Sequence, residues 1–265
     1  MKQQIRAIFF DLDDTLCAYW SASRRGLRQA FEEAPLECDP DKAIEAWRTV
    51  FSTFSPEIKT DRWYERYLES GEPTRTEHMR RVLTRLGCPS DQLATKLSAR
   101  YAELRDASLE PFQETHEVLE FLKSKYILGL ITNGPADVQR QEIETLGIAE
   151  YFDHILIEGE YKLGKPHQEI FDEARRLSGL EHDEMLFVGN AFEHDVQGSK
   201  NAGWHSIWVN KAGEDNPGSD PQPDAVAVNL WEVIDWLGYE RPAYANSASG
   251  ESHRSVAKNW RRQRF

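Results

Sequence analysis

Two hydrophobic patterns divide the chain, and the first alternates short apolar runs with amphipathic segments of helical period. The apolar runs predict strands at residues 5–10, 127–131, 154–157, 185–188, 205–209 and 225–228. The amphipathic segments predict helices at 114–125, 136–146 and 168–177, one ending near Gly203 and one starting at Leu230. Strands that alternate with helices are typical of a parallel sheet covered on both faces. We therefore predict an α/β fold with a doubly wound parallel sheet, whose ligands bind beyond the carboxyl ends of its strands.

The second pattern fills residues 17–108, where apolar residues recur at helical spacing throughout. One such stripe comprises Ile44, Trp47, Phe51 and Phe54. Asp39–Pro40 and Ser55–Pro56 each place an N-cap oxygen before a proline, which predicts two helix starts. We expect an all-helical insert at residues 18–108, inside a core domain made of residues 1–17 and 109–240.

Charge is distributed unevenly along the 265 residues. The chain holds 32 Lys and Arg against 45 Asp and Glu, a formal net charge of −13. Residues 241–265 carry +5, so residues 1–240 carry −18. An acidic body repels nucleic acid and anionic membranes, and we expect neither as a partner. The Ser-rich, basic tail at 241–265 has few apolar residues, and we expect it to be disordered.

The cysteines and the apolar runs indicate the compartment. Cys17, Cys38 and Cys88 are odd in number and show no metal-binding or CxxC spacing, which is typical of a reduced, intracellular protein. No apolar run reaches the length of a membrane helix, and acidic residues interrupt the amino-terminal apolar run too early for a secretory signal. We expect a cytoplasmic protein.

Polar clusters follow the predicted strands at positions where a parallel sheet would bring them together. Two carboxylates, Asp11 and Asp13, follow the first strand, and a break in the strand after Asp11 lets both face one pocket. Thr132 and Asn133 follow the second strand and are good donors to an anion. The other two clusters are Gly164-Lys165-Pro166 and the segment from Gly189 to Asp195.

In their order and approximate spacing, the four clusters resemble the motifs of the haloacid dehalogenase-like hydrolase superfamily. IFFDLDDTL resembles its first motif and ITNG its second, the lysine of GKP its third, and VGNAFEHDVQGSKNAG its fourth. The resemblance spans about residues 5–210. It implies a Rossmann-like core whose helical insert closes over the site as a cap, and it favours the phosphatase branch of the superfamily.

The resemblance also implies a role for each motif residue. Asp11 would be the nucleophile that forms an aspartyl-phosphate, and Asp13 would protonate the leaving group and then activate water. Thr132, with the backbone near Asn133, would hold the phosphoryl oxygens, and Lys165 would neutralise the nucleophile and the transferring group. The implied catalytic residues are therefore Asp11, Asp13, Thr132 and Lys165, with substrate bound by Thr132, Asn133 and Lys165.

Magnesium is the cofactor that this resemblance implies. Its ligands would come from Asp11, the carbonyl of Asp13, Asn190 and Asp195. Asn190 departs from the family pattern, since phosphatases usually have Asp there, and it removes one full charge from the site. Because carboxylate count is one determinant of cation affinity, we expect weaker metal binding. A small phosphorylated metabolite is the expected substrate, and the oligomeric state stays open.

The sequence leaves other functions open. A metal-independent dehalogenase would also use an Asp nucleophile and has Asn in the fourth motif, but that branch typically lacks the second acid, Asp13. Residues 159–165 match GxxxxGK, yet Pro166 replaces the Ser or Thr that ligates Mg²⁺ in NTPases. A catalytically weak binding protein on the same fold is the third alternative.

Overall fold

The computed structural model describes residues 5–241. These residues contain six strands: β1 Ala7–Phe10, β2 Ile127–Thr132, β3 His154–Ile157, β4 Met185–Gly189, β5 His205–Val209 and β6 Ala225–Ala227. The insert contains α1 Tyr19–Glu33, α2 Pro40–Ile58, α3 Asp61–Glu69, α4 Glu72–Arg85 and α5 Asp91–Ala107. The other helices are α6 Thr115–Lys123, α7 Ala136–Thr145, α8 Glu158–Tyr161, α9 Gln168–Ser178, α10 Gly198–Asn201 and α11 Trp231–Trp236. A π-helical segment, Phe192–Gln197, joins β4 to α10.

All six strands are parallel and lie in the order β3-β2-β1-β4-β5-β6. Side chains alternate across β1, so that Ile8 and Phe10 join one buried apolar cluster while Ala7 and Phe9 join another on the opposite face. The sheet is therefore buried on both faces, as parallel sheets require. The doubly wound α/β fold predicted from the sequence is confirmed, and β1 lies at its centre, between β2 and β4.

The helices of the insert pack around an apolar cluster of their own. Trp47 and Phe54 of the predicted stripe are buried in it, whereas Ile44 and Phe51 are partly buried. Asp39 caps α2 by accepting a hydrogen bond from the backbone N–H of Asp41 at 2.8 Å, as the sequence predicts. The helical character of the insert is confirmed, and its exact bounds stay a prediction.

The predicted helix start at Ser55–Pro56 is wrong. Both residues lie within α2, which continues to Ile58. Pro56 lacks one backbone N–H, but it is in the last turn, so the helix gives up a single hydrogen bond near its end. The adjacent Phe54 is fully buried in the apolar cluster of the insert, and this packing favours the helical backbone across the proline.

The two connections between insert and core lie side by side. Cys17 pairs with Pro111 in an isolated antiparallel bridge, and the N–H of Ala18 donates to the carbonyl of Glu110 at 3.1 Å. The chain therefore leaves and re-enters the core at one place. The predicted tail lies outside the described residues except for Arg241, which pairs with Asp235. Among residues 5–241, no helix is both long and apolar enough to cross a bilayer.

Candidate active site

The carboxyl ends of the central strands surround one cavity of about 420 Å³. Asp11 follows β1, Thr132 ends β2, and Asn190 follows β4, so the parallel sheet brings residues distant in sequence to one edge. The cavity is lined by all the predicted site residues: Asp11, Asp13, Thr132, Asn133, Lys165, Asn190 and Asp195. The structure thus brings the complete predicted set together, whereas their chemical roles stay predictions.

Lys165 lies buried between two carboxylates. Its Nζ is 2.7 Å from Asp11 Oδ1 and 2.7 Å from Asp195 Oδ1. Burial alone would lower the pKa of Lys165, but the attraction of Asp11 and Asp195 outweighs it and raises that pKa above its ordinary value. Burial raises the pKa of Asp195 to about 6, although Lys165 acts in the opposite direction. Lys165 therefore holds a positive charge beside the predicted nucleophile.

The side chain of Asn133 fixes the backbone of Lys165. Its Oδ1 accepts from the Lys165 N–H at 2.8 Å, and its Nδ2 donates to the Lys165 carbonyl at 2.7 Å. A Cβ on Gly164 would lie 2.5 Å from Asn133 Oδ1, so glycine is needed for this approach. These two hydrogen bonds use the Asn133 amide oxygen and one of its two N–H groups, and the predicted substrate-binding role of Asn133 stays a prediction.

Asp195 is held on both sides. Its Oδ2 accepts a hydrogen bond from the Ala191 N–H at 2.8 Å, while its Oδ1 faces Lys165. A Cβ on Gly189 would lie 2.4 Å from Asp195 Oδ2, so the close approach of strand and carboxylate needs glycine. Asp195 therefore has a hydrogen-bond partner at Oδ2 and an ion-pair partner at Oδ1. Its predicted role as a metal ligand stays a prediction.

Asp11 and Asn190 present oxygens to the same hydroxyl group. The Thr15 hydroxyl donates to Asp11 Oδ2 at 2.8 Å and lies 3.4 Å from Asn190 Oδ1. Within residues 5–241, no group of three or more His, Cys, Asp or Glu side chains is arranged to hold a metal ion. The converging oxygens of a carboxylate and an amide are nevertheless the ligand type that Mg²⁺ prefers, so the site fits a hard cation held by few carboxylates.

Asp13 lies near a buried acid, Glu142, which belongs to none of the four sequence motifs. The negative charge of Glu142 acts on Asp13, and Arg105 Nη2 is 3.8 Å from Glu142 Oε1. Burial raises the pKa of Asp13 well above its usual range, and Glu142, Asp11 and Asp14 add to the effect. Burial likewise raises the pKa of Glu142 to about 7, against the attraction of Arg105. The environment therefore favours a protonated carboxyl at Asp13.

Thr132 is buried, and its hydroxyl donates to Gln139 Oε1. Gln139 Nε2 in turn donates to Glu142 Oε2 at 2.8 Å. The Thr132 hydroxyl thus belongs to a polar chain beneath the cavity, and to bind a phosphoryl oxygen it would have to exchange this acceptor for the ligand. Gln139 and Glu142 belong to none of the four motifs, and only their polarity on the buried side of α7 could have signalled them.

The family follows from comparison with known proteins. A family model described as haloacid dehalogenase-like hydrolase matches residues 5–203. The chain belongs to the haloacid dehalogenase-like hydrolases. The site of this family member has an Asp after the central strand and a buried lysine between two carboxylates, and the helical insert lies between β1 and β2.

Curated relatives and a solved structure support this membership. N-acylneuraminate-9-phosphatase from Mus musculus is 30% identical over 87% of this chain and 92% of its own. Glyceraldehyde 3-phosphate phosphatase from Methanothermobacter thermautotrophicus is 30% identical over 78% and 86%. The crystal structure of 2-haloacid dehalogenase from Pseudomonas syringae pv. Tomato DC3000 is 27% identical, covers 88% and 98% of the two chains, and superposes with a TM-score of 0.62.

Proposed function

We propose that this hydrolase is a Mg²⁺-dependent phosphatase that cleaves a small phosphorylated metabolite through an aspartyl-phosphate intermediate. Its family and its phosphatase relatives make it a phosphoric monoester hydrolase. The observation that supports the mechanism is the contact of Lys165 Nζ with Asp11 Oδ1 at 2.7 Å, at the carboxyl end of the central strand. A carboxylate shielded by a buried cation is able to receive a phosphate dianion.

In the first half-reaction, an oxygen of Asp11 attacks phosphorus and the bond between phosphorus and the ester oxygen breaks. The proton of Asp13 passes to the departing alkoxide, which leaves as an alcohol. The raised pKa of Asp13 supports this role, since burial and its acidic neighbours favour the protonated acid. Lys165 stays charged throughout and offsets the negative charge on Asp11 and on the transferred group.

In the second half-reaction, water attacks the phosphorus of the aspartyl-phosphate. Asp13, now ionised, accepts a proton from that water, and Asp11 is released as a carboxylate. Asn133 contributes by holding the backbone of Lys165, and Asp195 by holding its ammonium group. Inorganic phosphate is the product, and both acids return to their initial protonation states.

Asp11, the carbonyl of Asp13 and Asn190 would hold Mg²⁺. A bound cation there supplies positive charge that reduces the repulsion between the phosphate dianion and Asp11. Asn190 offers an amide oxygen where a carboxylate would offer a full charge, so this chain's own ligands favour modest cation affinity.

The relatives define the first substrates to test. Their names specify N-acylneuraminate 9-phosphate, glyceraldehyde 3-phosphate and phosphoserine. All are phosphate monoesters on small polar carbon skeletons, which agrees with the predicted substrate class. A screen of these three compounds with and without Mg²⁺ would identify the preferred leaving group.

A dehalogenase is the second candidate function. The 27% identity to a 2-haloacid dehalogenase and the presence of Asn190 favour it. Asp13 favours the phosphatase, because displacement of a halide needs no general acid whereas departure of an alkoxide does. Release of chloride from 2-chloropropionate in the presence of EDTA would support the dehalogenase, and hydrolysis of phosphate esters that EDTA abolishes would exclude it as the main activity.

The decisive test is hydrolysis of p-nitrophenyl phosphate by the wild-type protein and by Asp11→Asn. We expect Mg²⁺-dependent release of p-nitrophenol from the wild type and a loss of at least about 1,000-fold in kcat in the variant. Asp41→Asn, which changes an exposed acid in the insert, is the matched control and should retain full activity. Full activity in Asp11→Asn would disprove the nucleophile assignment.

A further inference from the structure

The insert contributes a second lysine to the cavity. Lys59 directly follows α2, and it lines the same cavity as Asp11 and Lys165. The cavity therefore receives one lysine from the core and one from the insert.

The ammonium group of Lys59 is held in place but remains open to the cavity. Its Nζ is 2.6 Å from Glu158 Oε1, and the Tyr64 hydroxyl donates to the same oxygen at 2.8 Å. Glu158 is 3% exposed, whereas the Lys59 side chain is 49% exposed. An ammonium has three N–H donors and Glu158 accepts one of them, which leaves donors for a ligand.

Aromatic rings surround this ammonium group. Lys59 Nζ lies 5.2 Å from the ring centre of Tyr64 and 5.1 Å from that of Tyr67. Trp20 and Phe51 line the same cavity from the insert. These rings restrict the positions that the lysine can adopt, so its charge is directed at a defined part of the cavity.

Charge is divided between the two sides of the cavity. The carboxylates that line it come from the core: Asp11, Asp13, Asp14 and Asp195. A second cavity of about 280 Å³ shares Lys59, Tyr67 and Asp13 with the first, and it is lined from the insert by Arg75 and Arg105 as well. Among the described residues that line either cavity, the insert supplies cations and aromatic rings and no Asp or Glu.

We propose that Lys59 is a specificity-determining residue that binds a carboxylate on the leaving group of the substrate, on the side of the cavity that the insert lines. This inference rests on the proposed phosphatase function. Lys165 contacts Asp11 and serves phosphoryl transfer. The acid that Lys59 contacts is Glu158 of the core, and the described residues of the insert contribute no Asp or Glu to the lining of the cavity. Because Glu158 already balances part of the charge of Lys59, the two remaining N–H donors suit a monoanionic carboxylate better than a second phosphate dianion.

The test compares two esters that differ at one group. 3-Phosphoglycerate and glycerol 3-phosphate share a carbon skeleton, but the first has a carboxylate where the second has a hydroxymethyl group. We expect the wild type to show a kcat/KM about 10- to 100-fold higher for 3-phosphoglycerate. Lys59→Met should remove most of this preference through a higher KM for the carboxylated ester, and Lys59→Arg should keep part of it.

Controls separate a binding role from a structural one. Lys96→Met removes an exposed lysine from α5 of the same insert and should leave the preference unchanged. If Lys59 only joined the insert to the core, Lys59→Met would change both esters equally and the ratio would stay constant, which would overturn the inference. A wild type that hydrolyses both esters without preference would overturn it too. A wild type that hydrolyses no phosphate ester would instead overturn the proposed function, and the inference with it.

Discussion

Lys165 depends on neighbouring residues that hold both its backbone and its ammonium group in place. Asn133 holds its backbone, Asp195 holds its ammonium group, and Gly164 and Gly189 leave room for both contacts. A buried cation keeps its charge only if its partners stay in place, because burial by itself favours the neutral amine. The chemistry of this lysine is therefore sensitive to changes as small as one methyl group.

Gly189→Ala provides a test of this dependence. Its new Cβ would lie 2.4 Å from Asp195 Oδ2, so Asp195 must move away from both Lys165 and the Ala191 N–H. We expect hydrolysis of p-nitrophenyl phosphate to fall by about 100-fold, since small misplacements of catalytic groups have effects of this size. Circular dichroism should show retained secondary structure. Wild-type activity in the folded variant would contradict the positioning role of Asp195.

Asn190→Asp tests the effect of charge on the proposed metal site. A carboxylate next to Asp11 adds one negative charge to the oxygens that converge on Thr15. We expect the Mg²⁺ concentration for half-maximal activity to fall by about tenfold, because more carboxylate ligands raise the affinity for hard cations. Asn216→Asp adds the same charge in an exposed loop and is the control. An unchanged Mg²⁺ dependence in Asn190→Asp would exclude residue 190 as a ligand.

The sequence predicted which motif residues meet at the cavity, but it did not predict the buried residues that surround them. Asp11, Lys165 and Asn190 are recognisable because each follows a strand end or a turn within a motif. Glu142 and Arg105 carry no such signal, since their importance comes from burial near Asp13 and from the approach of Arg105 in α5 to Glu142 in α7. Tertiary contacts of this kind are absent from local patterns.

At the scale of the helices, His78 links the stability of the insert to pH. Its ring is buried, stacks on Trp47 at 4.7 Å between ring centres, and bonds through Nε2 to the Trp47 carbonyl. Burial lowers the pKa of His78 to about 4, and Arg81 adds to the effect while the hydrogen bond opposes it. The unfolded chain therefore takes up a proton here at a higher pH than the folded chain, and the free energy of unfolding falls as the pH drops below about 6.5.

His78→Gln should remove this dependence while keeping an N–H donor for Trp47. Between pH 7 and pH 5, the free energy of unfolding of the wild type should decrease by about 2 kcal/mol more than that of the variant. Urea unfolding at both pH values measures the difference. His167→Gln, at an exposed position before α9, should follow the wild type. Parallel pH profiles for wild type and His78→Gln would show that His78 is not the titrating group.

The elements themselves were largely predictable. The strands β3 and β5 have the predicted bounds, and each of the other four strands differs at one end by one or two residues. Buried parallel strands read as continuous apolar runs, which explains this success. The error at Ser55–Pro56 arose because a capping signal is local, whereas burial of Phe54 and the neighbouring turns is decided by the whole insert.

The net charge of the whole molecule has the same sign as the charge of a phosphate monoester. Residues 1–240 have a net charge of −18, and a phosphate monoester is a dianion near neutral pH. Charges interact over about 30 Å at 0.01 M salt but only about 8 Å at 0.15 M. Long-range repulsion should therefore slow substrate entry most at low ionic strength.

We expect kcat/KM for a phosphate monoester to rise about two- to fivefold between 0.01 M and 0.15 M KCl at saturating Mg²⁺. Steady-state assays across this range provide the measurement, and sucrose at equal osmolality controls for changes in water activity. A decrease with added salt would instead indicate that the local cations of the cavity, Lys59 and Lys165, dominate the field that the substrate meets.

The central position of β1 has a consequence for the order in which the protein is made. Both neighbours of this strand, β2 and β4, begin only at residues 127 and 185. At about 5 to 20 residues per second, ribosomes need roughly 5 to 25 s to reach β2 after finishing β1. During that interval the helices of the insert can fold on the emerging chain, while the apolar segment Ala7–Phe10 waits without a partner. In the nascent chain this segment therefore exposes for several seconds the apolar side chains that the folded protein buries completely.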